Sequence, residues 1–148
     1  METRKNIKYR IASINENKLV KSIDNVEFIQ ITEESLKFQF KIDTLIKMSD
    51  NIIEVTPAIR YIIDNNCILE ASATITFEVQ TLDHVFVIDR EKQEIKSTCD
   101  ILSSFVEASF STLRGIVYTT TKGTLLERFP IPMIDIHTLM AKNAVNVK

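Results

Sequence analysis

Residues 36–42 read LKFQFKI, with Leu36, Phe38, Phe40 and Ile42 apolar and Lys37, Gln39 and Lys41 polar between them. A period of two predicts a half-buried strand. Glu33-Glu34-Ser35 before it reads as a turn, and upstream Val26, Phe28 and Gln30 alternate less cleanly against Glu27 and Ile29. A second turn signal, SDN at 49–51, precedes NIIEVTPAIRYII, a β-branched run interrupted by Pro57. Proline cannot donate to a ladder, so Pro57 predicts an edge strand or a bulge. DNN at 64–66 is a hairpin signal, because Asp and Asn tolerate left-handed backbone. In residues 67–80, Ile75, Phe77 and Val79 alternate with Thr74, Thr76 and Glu78. HVFVI at 84–88 predicts more of the same strand after a kink at 81–83. The pattern is a run of four antiparallel strands.

The period then changes. DREKQEIK is polar and predicts a solvated connection or a short helix. Val106, Phe110, Leu113 and Val117 recur at spacings of four, three and four, the stripe of an amphipathic helix reaching about residue 121. Leu102 and Phe105 are placed as its entry contact, and Ser104 and Glu107 have capping-box spacing. The run IVYTTT-KG-TLLERF also fits a β-hairpin on propensity alone. Gly123 stands where a helix-ending glycine belongs. Pro130 and Pro132 keep the next segment out of regular structure, and Asp135 can cap a short last helix with Ile136, Leu139 and Met140 on one face. Strands first and helices last is an α+β order in one domain: a four-stranded antiparallel sheet backed by a long helix and a short C-terminal helix.

Composition narrows the function classes. The chain has 148 residues and a net charge of −2, with no basic run, so no nucleic-acid footprint is expected. No apolar window reaches the length of a membrane span and the first residues lack a signal-like apolar core, which predicts no membrane insertion and a cytoplasmic location. Cys67 and Cys99 are too far apart for metal or redox motifs and read as reduced, small buried hydrophobes. His84 and His137 each lie near an aspartate, Asp83 and Asp135, but are isolated from any Cys or second His, and no nucleophile–base motif or phosphate loop occurs. No catalytic residue, metal or other cofactor is expected, and no enzymatic activity. What is unusual is the apolar surplus of LLERFPIPMI, in a segment its prolines keep irregular. Such a segment either straps the core shut or walls a groove for partners.

The order ITFEVQ, HVFVI, FVEASFSTLRG, KGT, a proline-containing strap and a capped closing helix resembles the protein-export chaperone family SecB over roughly residues 25–141. FEVQ at 77–80 and the succession Arg114, Gly123-Thr124, Pro132, Leu139 carry most of the likeness, and LKFQFKID resembles that family's second strand. The resemblance implies an ATP-independent chaperone that holds unfolded polypeptides in apolar grooves, assembled as a homodimer or homotetramer. It places Phe38, Phe40 and Ile42 facing a groove, and the apolar strap, with Leu125, Leu126, Phe129, Ile131 and Met133, is then read as the groove's other wall. It places Phe77 and Val79 at a subunit or groove surface, and Glu78 on an acidic sheet face that meets the export motor SecA. The near-neutral charge departs from the acidic export members. Two other readings stay open: a SecB-like adaptor with one dedicated partner, such as an antitoxin or mobile-element protein, and a small-molecule-binding α+β domain.

Overall fold

A computed structural model describes residues 7–22, 31–89, 91, 94–97, 101–143 and 145–147. Strands β1 (Tyr9–Lys21), β2 (Leu36–Lys47), β3 (Ile52–Ile63) and β4 (Asn66–Val79) are antiparallel neighbours in the order β1-β4-β3-β2. Strands β5 (Phe86–Asp89) and β6 (Glu94–Ser97) form a separate hairpin. Helix α1 (Ile101–Thr121) packs on β3 and β4, helix α2 (Ile136–Lys142) reaches β2, and β7 (Val145–Val147) joins the outer side of β2 in parallel. The architecture is α+β, as the periodicities predict.

Side-chain alternation explains the layering. Ile42 and Ile46 of β2, Ile53, Val55, Ile59, Tyr61 and Ile63 of β3, and Leu69, Ala71, Ala73, Ile75, Phe77 and Val79 of β4 are buried on one face. Against them α1 sets Phe105, Val106, Phe110, Leu113 and Val117, also buried. Phe77 stacks nearly parallel on Phe105, with centroids 4.2 Å apart. The two-residue turn at Asp64 and Asn65 has positive φ at both positions (49° and 63°), the geometry whose twist matches a hairpin. Asn51, at φ 54°, turns β2 into β3; its carbonyl accepts from Val79 N at 2.9 Å and its side chain from Leu82 N at 3.1 Å.

The alternative hairpin at 115–128 gives way to helix. Burial of Leu113 and Val117 fixes the helical period, and the hydroxyls of Thr119 and Thr121 donate to the carbonyls four residues back, at 3.0 and 2.9 Å. Such back-bonding satisfies β-branched polar residues inside a helix.

Several expectations are corrected. Pro57 lies in β3, an interior strand, rather than at an edge. Its pairing with β2 is continuous, while the β3–β4 ladder passes over Thr56 and Pro57 without a change of register. Thr56 and Thr74 bridge that gap through their hydroxyls at 2.9 Å. HVFVI does not extend β4: a 3-10 turn, Leu82–His84, breaks the chain away, and the polar segment expected to be a connection supplies β6. Helix α1 begins at Ile101, so Ser104 and Glu107 lie inside it and form no capping box. The strap opens with a 3-10 turn, Leu125–Arg128, capped by Thr124, before its irregular part. Cys67 is exposed, not buried. The strand expected around 26–30 lies outside the described residues, as does Cys99.

The two glycines make opposite predictions. Gly115 is mid-helix with nothing within 4 Å of an added Cβ, so Gly115→Ala is expected to stabilise by about 0.5–1 kcal/mol. Gly123 ends α1 at φ 81°, so Gly123→Ala is expected to destabilise by about 1 kcal/mol. Urea titration of both variants measures the signs.

Candidate polypeptide-binding surface

The alternation of β2 aims Phe38 and Phe40 at the helix side of the sheet, but only Ile42 of the three is buried there. Phe38 and Phe40 are half-buried and stack at 6.2 Å. Phe38 meets the edge of Tyr61 at 4.7 Å and Phe40 that of Phe110 at 6.3 Å. The strap joins this cluster through one polar contact: Tyr61 OH donates to the carbonyl of Phe129 at 2.9 Å. Arg114 on α1 holds the other end, its guanidinium donating to the carbonyls of Ile131 at 3.2 Å and Pro132 at 3.3 Å. Asp135 then caps α2, accepting from the backbone of His137 and Thr138 and from the Thr138 hydroxyl. These bonds hold its carboxyl below the usual range, the Thr138 hydroxyl contributing most.

The strap residues divide by burial. Leu126 and Ile131 are buried and close the core. Phe129 is half-buried, Leu125 is 47% exposed and Met133 is 96% exposed. Partly open aromatic rings therefore lie on β2, tied to the strap through the contact of Tyr61 with Phe129, and the strap itself carries the exposed Leu125 and Met133.

Burial pushes the Tyr61 hydroxyl up to about 12. Its folded value lies above the unfolded one near 10, so its contribution is intact below pH ~10 and lost as pH rises towards 12. Wild type is expected to show alkaline destabilisation in that window that Tyr61→Phe lacks, read by denaturant midpoints from pH 8 to 12.

A second apolar surface was not foreseen. Register places Tyr9, Ile11, Ile14 and Leu19 of β1 opposite Val79, Phe77, Ile75 and Ala71, on the helix side. Yet they are 39–56% exposed, because α1 lies over β3 and β4 and meets β1 only near its ends. Tyr9 touches Phe105 at 5.0 Å and Lys21 Nζ donates to the Thr120 carbonyl at 3.3 Å. Between those contacts runs an open groove of about 440 Å³ lined by Glu16, Thr112, Gly115, Ile116, Thr119 and Thr120.

Phe77 and Val79 do not reach a surface. They are 2% and 1% exposed, inside the protomer's own core. Glu78 does point to the outer face, where Arg10 Nε donates to it at 2.7 Å. The other outer-face glutamates are also paired: Glu70 with Lys18 at 3.0 Å and Arg60 at 3.1 Å, and Glu54 with Lys47 at 2.8 Å. The Lys18 hydrogen bond leads the causes that lower the Glu70 pKa. On β1–β4 this face carries Arg10, Lys18, Lys37, Lys41, Lys47 and Arg60 against Asp43, Glu54, Glu70 and Glu78, so it is not acidic.

Among the described residues no group of three or more His, Cys, Asp or Glu is placed to hold a metal ion. No helix among them is long and apolar enough to cross a membrane. Neither protein-family models nor curated proteins give a match to this chain.

Proposed function

We propose that this chain is an ATP-independent cytoplasmic chaperone that holds unfolded polypeptides, working as a homodimer or homotetramer. The carrying observation is the partly open aromatic pair Phe38 and Phe40 on β2, tied through Tyr61 to a strap that carries the half-buried Phe129 and the exposed Leu125 and Met133. Apolar attraction is non-directional and scales with area, at about 25 cal/mol per Å², which suits a binder of many sequences. Among the described residues the groove beside β1 and a depression lined by Lys8, Tyr9, Asn51 and Glu78 are both open to solvent, which favours extended chains over an enclosed small molecule. The self-paired outer face gives a cationic partner little free carboxylate, so holding clients is favoured over coupling to SecA.

The proposed assembly surface is the apolar row of β1. Completing the burial of four half-exposed side chains is worth about 1 kcal/mol each, or about 8 kcal/mol for a twofold pair. Association costs roughly 4–15 kcal/mol, so contacts from the α1 flank are needed as well. Bulges at the register shifts near Ala12 and Asn17 twist this edge and work against unlimited strand addition. Packing of apolar faces is therefore favoured over edge-to-edge pairing. Ile11→Asp with Ile14→Asp is expected to reduce native mass to the protomer while leaving the far-UV circular dichroism spectrum nearly unchanged. A wild-type monomer at micromolar concentration in sedimentation would end the assembly proposal.

The function is tested by delayed aggregation of several unrelated denatured proteins. Protection of one protein alone would favour the dedicated-adaptor reading, and protection of none would exclude the chaperone.

A further inference from the structure

Strand β7 occupies the outer edge of the strand that carries Phe38 and Phe40. Val145, Asn146 and Val147 pair in parallel with Thr44, Leu45 and Ile46. Val145 and Val147 pack half-buried against the core while Asn146 is exposed, so an extended segment with alternate aliphatic side chains is seated there. Among the described residues the edge of β2 before Thr44 has no strand beside it. The seat of β7 and the patch proposed for clients thus lie on one strand and one face.

We infer that β7 is a built-in competitor for polypeptide: it fills, in strand form, the end of the β2 edge on which an extended aliphatic-rich segment of a client adds. The inference rests on the polypeptide-binding reading and concerns how that site is regulated. Backbone pairing at a sheet edge is indifferent to client sequence, and alternate side chains supply selection. A seat of three residue pairs is a small one to vacate. Its tether to α2 is short, since Asn143 still bonds the helix through Nδ2 to the Leu139 carbonyl at 2.7 Å. A short tether keeps the effective concentration of β7 in the millimolar range. Short peptides, which need the edge, then lose to β7, whereas a long unfolded chain keeps most of its affinity through the aromatic patch with β7 still in place. The strand acts as a length filter.

The test uses the full chain carrying Val145→Asp and Val147→Asp, with a fluorescein-labelled NAVNVK peptide as the probe. If β7 holds the edge nine-tenths of the time, apparent affinity in the wild type is about tenfold below intrinsic. The variant is therefore expected to bind the peptide about tenfold more tightly than wild type, and a permanently unfolded, carboxymethylated protein less than threefold more tightly. A second variant, Leu45→Cys with Asn146→Cys, fixes β7 to its register partner. Its disulfide form, isolated by thiol titration, is expected to lose peptide binding and to regain it on reduction. Equal peptide affinity in wild type and the aspartate variant, with circular dichroism unchanged, overturns the inference. So does undiminished binding by the disulfide form. If wild type delays aggregation but neither pair of substitutions alters binding, the chaperone reading stands and the competitor falls. If the aspartate variant gains peptide affinity but no protein's aggregation is delayed, the competitor stands and the chaperone reading falls.

Discussion

Val79→Asp is expected to abolish the folded protein rather than to dissociate an assembly. Val79 is 1% exposed at the end of β4, on the helix-facing side, and its N–H donates to the carbonyl of Asn51 in the β2–β3 turn. Losing a fully buried valine costs about 1.5–3 kcal/mol. An unpaired carboxylate in the same place costs several more, or is protonated at a similar penalty. The sum rivals the whole stability of an ordinary domain, about 5–15 kcal/mol. Far-UV circular dichroism at pH 7 should show loss of the native spectrum, with partial recovery at acid pH where the carboxyl is neutral. A cooperative native-like transition at the wild-type urea midpoint would contradict the placement of Val79 in the core.

What was legible in the sequence followed burial. β3 and β4 bury one face, and β2 buries or half-buries its own, which is enough to print a period of two, and α1 buries the stripe from Val106 to Val117 that its spacing shows. β1 escaped because its apolar residues stay half exposed and because two register shifts break the alternation: Tyr9 and Ile11 are in phase, Ile14 and Glu16 are one residue out, and Leu19 is out again. β7 has three residues, too few to display any period. Pro57 misled for a local reason: the ladder it cannot join is interrupted only at Thr56 and Pro57, and a pair of threonine hydroxyls bridges that place. The interface expected at Phe77 and Val79 failed because alternation tells which residues share a face but not which face the helix covers. Once α1 covers that face, the exposed apolar residues are the ones it does not reach, on β1. The strap was legible as irregular and apolar, yet nothing in its composition separates Leu126, wholly buried, from Leu125 beside it, 47% exposed.

Phe40→Ser is expected to produce the largest loss of client affinity that leaves the fold standing. The side chain is half-buried, with one ring neighbour on its own strand and one on α1. An aromatic side chain offers about 150–250 Å² in all and Phe40 keeps at most about a third of it open, so roughly 70 Å² remains for a client, worth about 1.8 kcal/mol if fully covered. Ordering the client and imperfect fit reduce that gain, which leaves about 1.4 kcal/mol, a tenfold change, per occupied site. In an assembly that grips one chain at several sites the losses multiply, so a long client is expected to weaken by well over tenfold and a ten-residue peptide by about tenfold. Phe40→Leu keeps most of the apolar area and is expected to restore binding to within about threefold. Met133→Ser tests the strap: it removes a side chain that is 96% exposed, so it is expected to lower client affinity with no change in urea midpoint. Competition titrations against one labelled unfolded protein rank the three variants. If Phe40→Ser holds that protein as tightly as wild type, clients do not use the β2 face, whatever the oligomeric state.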